Sequence, residues 1–370
     1  MNRPSHGGNL RWAASVAGCS PSDILDFSAS INPLGPPNSA LGAVQNGLEA
    51  LKAYPDPEYL QLRQALGQFH ELPPDWVLPG NGAAESITWA GRELASLDAT
   101  YLIVPAFGDY WRALKAYDAS IRACPIAFET NDEKWVGGDR LPLSKLSSVD
   151  TRSSGLLLNN PHNPTGQLWS REAIEPYLER FALVVVDEAF MDFLPPTRQQ
   201  SLIQWVREYP NLAIVRSLTK FYSIPGLRLG YAIAHPERLQ RWQRWRDPWS
   251  VNSLAAAVGA IVTQDREFQQ QTWNWLTPAR EQLTSGLRQI PGLYCHEGAA
   301  NFLLVRSQYP SSQVQKILLE RDRILIRDCL SFPELGDRYF RVAVRSPVEN
   351  QRLLAGLADI PNRFNVDLPI

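Results

Sequence analysis

The stretch SLTKFYSIPGLRLGY, residues 217–231, decides how this sequence is interpreted. Lys220 follows an apolar run and lies among small hydroxyl residues, with Arg228 eight positions later. Burial or a nearby cation lowers the pKa of a lysine and makes it a nucleophile toward a carbonyl. The hydroxyls of Ser217 and Thr219 and the forked guanidinium of Arg228 suit a phosphate dianion. A lysine in a loop is usually only solvated, but these neighbours favour a functional role for Lys220.

Short apolar runs alternate with helical patterns on both sides of this stretch. The runs predict buried strands at Tyr101–Val104, Gly155–Asn159, Ala182–Asp187, Leu212–Ser217 and Leu229–Ala234. The patterns between them predict helices at Ala84–Leu97, Arg171–Phe181 and Ser201–Glu208. Such alternation is typical of a mostly parallel sheet flanked by helices. We therefore predict an α/β fold.

The pattern changes twice toward the carboxyl end. It turns helical from about Pro236 to Ile290, and after Pro291 it predicts three strands and two helices, at Gly292–Cys295, Asn301–Arg306, Tyr339–Val344, Ser312–Arg321 and Val348–Leu357. We expect a large domain over residues 46–245, which contains the central sheet. Residues 246–370 are expected to form a connecting helix and a smaller α+β domain. Residues 1–45 are expected to pack on the small domain and the active site.

The composition excludes several classes of protein. The chain has 370 residues, 44% of them hydrophobic, and a formal charge of −2, which gives no basic surface for nucleic acid. Its four cysteines are far apart, without CxxC pairs or His/Cys spacing suited to zinc, which favours thiols in a reducing compartment and no metal. No signal-peptide core or run of about 20 apolar residues is present. We expect a cytoplasmic protein without a membrane or nucleic-acid partner.

Asp187 ends the apolar run 182–187. The carboxyl end of a buried parallel strand is where open α/β sheets bind ligands. A carboxylate at that position can keep a bound pyridinium nitrogen protonated, so that the ring accepts electrons. Taken alone, an aspartate at this position more often caps a strand end or a helix amino terminus.

Two turns and one aromatic residue complete the candidate site. Asn163 lies in NNPHNPTG, residues 159–166, and its amide could donate to a phenolate oxygen, although Asn and Pro also form turns by themselves. Ala83 and Ala84 follow a glycine-rich turn before a helix, where backbone N–H groups can approach a phosphate. Phe107 follows the next strand and could stack on a planar ring.

Taken together, these elements resemble the class I/II aminotransferase superfamily, the fold-type I pyridoxal-phosphate enzymes, from about Asp26 to Leu354. The resemblance implies pyridoxal 5'-phosphate as cofactor, with Lys220 forming the internal aldimine and moving protons. It implies that Asp187 pairs with the pyridine nitrogen, Asn163 contacts O3′ and Phe107 stacks on the ring. The cofactor phosphate would be held by Ala83, Ala84, Ser217, Thr219 and Arg228.

The resemblance also implies a homodimer with active sites at the subunit interface. Tyr54 matches the tyrosine that reaches the cofactor phosphate of the neighbouring subunit. Arg341 matches the arginine that binds the substrate anion near the carboxyl terminus. Arg327 matches a second anion-binding position of relatives that act on phosphorylated substrates.

Two branches of the superfamily compete, and three features favour one of them. The segments HGGN, residues 6–9, and DFSASINPLG, residues 26–35, resemble the threonine-phosphate decarboxylase branch. Phe190 stands where the histidinol-phosphate aminotransferase branch usually has tyrosine, and RVAVR, residues 341–345, also resembles the decarboxylases. The resemblance places His6 and Asn32 in the substrate site with the two arginines.

The predicted reaction is decarboxylation of L-threonine O-3-phosphate to (R)-1-amino-2-propanol O-2-phosphate in cobalamin biosynthesis. The alternative is transamination of histidinol phosphate with 2-oxoglutarate in histidine biosynthesis. A third possibility is a non-catalytic protein on the same fold, but the intact Lys220 and Asp187 argue against it.

Overall fold

The computed structural model describes residues 4, 6–127, 139–143, 146 and 149–366. The strands are β1 (Leu25–Asp26), β2 (Val77–Asn81), β3 (Thr100–Val104), β4 (Ile121–Pro125), β5 (Gly155–Asn159), β6 (Leu183–Asp187), β7 (Leu212–Ser217), β8 (Leu229–Ala234), β9 (Leu293–Cys295), β10 (Phe302–Ser307), β11 (Ile324–Leu325), β12 (Arg327–Asp328) and β13 (Tyr339–Ala343). The helices are α1 (Leu10–Ala17), α2 (Asn38–Asn46), α3 (Leu60–His70), α4 (Ala83–Leu94), α5 (Gly108–Lys115), α6 (Arg171–Leu178), α7 (Pro236–Gln243), α8 (Ser253–Val262), α9 (Arg266–Arg288), α10 (Ser311–Asp322), α11 (Pro347–Ala358) and α12 (Ile360–Val366).

A seven-stranded sheet in the order β2-β8-β7-β6-β5-β3-β4 forms the centre of the molecule. The strands β7, β6, β5, β3 and β4 are parallel to one another, and β8 is antiparallel to both of its neighbours, β7 and β2. Strands β5, β6 and β7 are buried along their whole length, as their continuous apolar sequences require when helices cover both faces. The predicted α/β fold is confirmed.

The parallel strands bring the functional side chains to one edge of this sheet. Their carboxyl ends meet there, and the register places Asp187 beside Asn159 of β5 and beside Val215 of β7. The loop that contains Lys220 leaves the same edge directly after β7. This edge is where ligands bind in open α/β sheets.

A second sheet, of order β12-β13-β10-β9, is antiparallel throughout. The amino-terminal segment joins this part of the fold, because β1 pairs in parallel with β11. Helix α1 packs alongside through Ala13 and Ala14, which share an apolar cluster with Leu319 of α10. The amino-terminal residues therefore lie against elements that are about 300 positions away in sequence.

The large domain differs from the predicted elements in two ways. Strands β2 and β4 were not anticipated, since β2 contains Pro79 and Gly80, which are tolerated because β2 is an edge strand. The helix predicted at 201–208 was wrong, because the chain there forms only the 3₁₀ turn Ile203–Arg207. The carboxylate of Glu188 accepts from Leu202 N at 2.8 Å, so this short segment is tied to the end of β6 before β7 begins.

Within the described residues, no helix is long and apolar enough to cross a membrane.

Candidate active site

A cavity of about 240 Å³ opens at the carboxyl edge of the large sheet. Its walls come from the ends of β5 and β6, the loop after β7, the amino-terminal segment and the paired strands β12 and β13. Seven of the predicted site residues line it together: His6, Phe107, Asn163, Asp187, Lys220, Arg327 and Arg341. Residues from six distant parts of the sequence thus converge on one chamber.

Lys220 presents its amine to this cavity. Desolvation lowers the pKa of Lys220; the charge of Asp187 opposes the shift, and Arg228 and Arg341 add to it. The Nζ atom lies 5.1 Å from the centre of the Phe190 ring. A lysine with a lowered pKa is more often neutral, which is the form that attacks a carbonyl.

Asp187 faces the same cavity with both carboxylate oxygens held. Oδ1 accepts from Ala189 N at 2.9 Å, and Oδ2 accepts from the hydroxyl of Tyr110 at 2.7 Å. Burial raises the pKa of Asp187, whereas the charge of Lys220 and these two hydrogen bonds lower it. The carboxylate is therefore fixed in direction, and two donors and a cation offset part of its desolvation, although the pKa of Asp187 remains raised.

The predicted phosphate ligands meet where α4 begins, beside the cavity rather than in its lining. Gly82 has φ +78°, and a Cβ at this position would collide with Nη2 of Arg228. Gly230 of β8 pairs with Ser217 and approaches the Ala83 backbone so closely that a Cβ would not fit there either. Ala84 is the next residue of the same first turn.

The hydroxyls of Ser217 and Thr219 are 2.7 Å apart, at the end of β7. Together with the guanidinium of Arg228 and the amino end of α4, they form a cradle of donors. A helix amino terminus and a guanidinium both favour an anion, and small residues let a phosphate approach the backbone. These residues fit the phosphate of pyridoxal phosphate.

Asn163 is oriented by Arg341. Nη1 of Arg341 donates to Oδ1 of Asn163 at 2.5 Å, so the amide oxygen is occupied and the amide N–H₂ is left to donate. Phe107 borders the same chamber and contacts the Tyr110 ring edge-on, with ring centres 5.7 Å apart. The imidazole of His6 also contacts Phe107, with ring centres 5.8 Å apart.

Two arginines form the far wall. Arg327 and Arg341 are directly paired across β12 and β13, and only 7% and 9% of their surfaces are exposed. Arg327 donates to Ser331 Oγ at 2.6 Å. Burial lowers the pKa of Arg341 to about 10, and the charge of Arg327 contributes. Burial also lowers the pKa of His6, with Arg327 again contributing. This end of the cavity is strongly cationic.

The structure does not place every predicted residue in the cavity. The substrate-binding role predicted for Asn32 is not supported, because its side chain is 1% exposed and donates to Phe221 O and Thr272 Oγ1, both at 2.8 Å. Its backbone N–H donates to Lys220 O at 3.0 Å, so Asn32 braces the lysine loop instead. Tyr54 is 79% exposed and packs on Trp249, with ring centres 4.5 Å apart.

Several lining residues were not identified from the sequence: Ser28, Ser30, Tyr110, Asn159, Ala189 and Phe332. Ser30 lies two positions before Asn32, and among the described residues its buried hydroxyl has no hydrogen-bond partner. Tyr110 follows Phe107 by three residues, a spacing that places both on one helical face and that could have been recognised.

The model of the family described as aminotransferase class I and II matches residues 22–357. A threonine-phosphate decarboxylase from Salmonella typhimurium is 40% identical over 361 residues, covering 96% of each chain. A histidinol-phosphate aminotransferase from Symbiobacterium thermophilum is 33% identical, covering 90% of each chain.

Among solved structures, the histidinol-phosphate aminotransferase from Clostridium acetobutylicum superposes with a TM-score of 0.81 at 27% identity. The superposition covers 92% of this chain and the whole of the other. The family match spans most of the sequence and includes the lysine, the aspartate and the cradle described above. This chain belongs to the class I and II aminotransferase family.

Proposed function

We propose that this protein is a pyridoxal-phosphate enzyme that decarboxylates L-threonine O-3-phosphate to (R)-1-amino-2-propanol O-2-phosphate, a reaction of cobalamin biosynthesis. When bound, the cofactor supplies a ring that accepts the electron pair of a bond broken at the substrate Cα. Lys220 would hold the cofactor and move the proton at that carbon. Asp187 would pair with the ring nitrogen, Asn163 would donate to the ring oxygen, and Phe107 would stack on the ring.

The proposed substrate rests on one observation, the pairing of Arg327 with Arg341. Like charges directly opposite each other on neighbouring strands destabilise a sheet, and burial increases that cost. Arg327 and Arg341 nevertheless lie directly opposite each other at the wall of the cavity, and His6 lies near Arg327. A small amino acid with both a phosphate and a carboxylate neutralises such a site. Histidinol phosphate offers the phosphate alone.

The arrangement at Arg341 favours loss of carbon dioxide. Nη1 already donates to Asn163, and Nη2 lies 3.4 Å from the Ser28 carbonyl oxygen as a second internal contact. A carboxylate that is not clamped flat by both nitrogens can stand perpendicular to the cofactor ring. Breaking its bond to Cα then feeds electrons into the ring. A perpendicular Cα–H bond would give transamination instead.

We also propose that the enzyme is a homodimer. Several large apolar side chains on α2, α3, α8 and the segments that precede α3 and α8 are each at least 44% exposed: Leu41, Leu48, Leu51, Tyr54, Leu60, Trp249 and Ile261. Helix α8 packs on α2, on α3 and on the 3₁₀ turn Leu48–Lys52, and Tyr54 packs on Trp249, so the elements that carry these side chains are neighbours. Exposed apolar patches of this kind mark association sites. Tyr54 lies in this set and would reach the partner's cofactor phosphate.

We further propose a cytoplasmic location and a division of the chain into three parts. The four cysteines are free thiols, which suits the reducing cytoplasm. The sheets suggest a division into an amino-terminal segment (residues 1–45), a large cofactor-binding domain (46–245) and a connecting helix with a small domain (246–370).

A side-by-side assay tests the reaction. Purified enzyme is given threonine phosphate without 2-oxoglutarate and, separately, histidinol phosphate with 2-oxoglutarate, while carbon dioxide and glutamate are measured. We expect carbon dioxide from the first mixture at the higher catalytic efficiency. A higher efficiency of glutamate formation would reject the proposed substrate and leave the family and cofactor in place.

A further inference from the structure

We propose that Tyr110 is a positioning residue that keeps Asp187 anionic, so that the shared proton stays on the cofactor's ring nitrogen. The inference rests on the proposed cofactor, not on which substrate is used. It assigns a role to a residue of the cavity lining whose hydroxyl is bonded to Asp187.

The geometry gives the Tyr110 hydroxyl one evident task. Tyr110 lies on α5, is 1% exposed, and donates to Oδ2 of Asp187 at 2.7 Å. The rest of its ring belongs to an apolar cluster, where it contacts Phe107 edge-on. Phenylalanine would fill this volume equally well. The hydroxyl is therefore present in an apolar environment because it binds the carboxylate.

The charges around Asp187 show why such a donor is needed. Burial favours the neutral carboxylic acid, and the nearby charge of Asp109 acts in the same direction. Lys220, the Ala189 N–H and the Tyr110 hydroxyl favour the anion. Once Lys220 is joined to the cofactor its contribution changes, whereas the two hydrogen bonds persist. Removal of one of the two would shift the proton toward Asp187.

Tyr110 is suited to this task over the whole working range of pH. Burial raises the pKa of its phenol well above 10, and the adjacent Asp187 raises it further. The hydroxyl consequently remains protonated and can only donate to the carboxylate. A residue that titrated near neutrality would make the ring charge depend on pH.

The test uses the cofactor-loaded enzyme and the variant Tyr110→Phe. The ring nitrogen is labelled with ¹⁵N in added pyridoxal phosphate, and its chemical shift reports whether it carries a proton. We expect a protonated nitrogen in the wild type and a shift toward neutral pyridine in the variant. A charge-assisted hydrogen bond is lost, so kcat should fall by about ten- to a hundredfold, with a smaller change in KM.

The matched control is Tyr231→Phe. Tyr231 is fully buried on β8 and does not line the cavity. Its hydroxyl is hydrogen-bonded to His70 Nε2, at 2.8 Å. This variant loses a buried hydroxyl hydrogen bond but should leave the ¹⁵N shift unchanged. In an Asp187→Asn background, Tyr110→Phe should cause little further loss of kcat, because the two residues act as a unit.

The outcomes separate this inference from the proposed function. An unchanged ¹⁵N shift in Tyr110→Phe, with kcat within about twofold of wild type, would overturn the role inferred for Tyr110. The cofactor assignment would still stand if the wild-type enzyme is yellow. A full further loss in the Asp187→Asn background would also overturn the role inferred for Tyr110. Wild-type protein that failed to bind the labelled cofactor would instead reject the proposed function.

Discussion

Arg341 donates to Asn163 across 2.5 Å, although the two residues are 178 positions apart in the sequence. Arg341 belongs to the anion end of the cavity, and Asn163 faces the expected position of the cofactor's ring oxygen. Binding of a substrate anion at Arg341 is thus linked directly to the donor on the ring. The contact makes the effects of substitution at the two arginines distinguishable.

We expect Arg341→Ala and Arg327→Ala each to weaken threonine phosphate binding by at least about tenfold, the loss of one charge-assisted contact. Only Arg341→Ala should also change the absorbance spectrum of the bound cofactor, because Asn163 then loses its anchor. Calorimetry and absorption spectra measure the two effects. Arg306→Ala, on the adjacent strand β10 with its guanidinium over Tyr294, serves as the control. Equal spectra for both variants would disprove the link.

His6→Ala should weaken substrate binding more mildly, and the loss should grow as pH falls. Burial, with a contribution from Arg327, lowers the pKa of His6 below its ordinary value of about 6.5, so the free imidazole is neutral at pH 7. A substrate phosphate opposes this shift, and the charge-assisted contact forms only when the imidazole is protonated. We expect a loss of about two- to fivefold near pH 8, rising toward about tenfold near pH 5.5. Calorimetry across this range checks the trend, and a loss that is constant with pH would exclude a charged role.

Lys220→Ala should lose the yellow absorbance of the cofactor-loaded protein. The reason is the position of the amine in the cavity, where desolvation lowers its pKa. Borohydride reduction followed by peptide mapping should place the pyridoxyl label on Lys220 in the wild type. Lys316→Ala, at an exposed lysine of α10, should keep the colour. A label on another lysine would contradict the assignment.

How much of this site follows from sequence depends on how local each constraint is. Lys220, Asp187 and Arg228 were predicted because each lies at a strand end in a local pattern. Strands β5, β7 and β8 were placed correctly because they are short, buried apolar runs. Ser30 and Asn32 show the limit. Both are polar residues of one motif, and only the path of the chain sends the Ser30 hydroxyl into the cavity and the Asn32 amide under the lysine loop.

Leu51→Arg should convert the proposed dimer into a monomer. Leu51 is 58% exposed within the apolar set around Tyr54 and Trp249, and a buried unpaired charge there would oppose association. Light scattering should give a dimer for the wild type and a monomer for the variant. Val348→Arg, at an exposed apolar residue on α11 outside this set, is the control. A wild-type protein that is monomeric and fully active would contradict the proposed dimer.

The central claim is that this enzyme breaks the bond between Cα and the carboxylate. The most direct test incubates it with L-threonine O-3-phosphate in D₂O, without 2-oxoglutarate, and analyses the product by mass spectrometry. Decarboxylation replaces the carboxylate by one proton from solvent. The account therefore predicts 1-amino-2-propanol O-2-phosphate with one non-exchangeable deuterium, formed over many turnovers. A 2-oxo acid that keeps its carboxylate, formed once per active site with the amino group left on the cofactor, would contradict it.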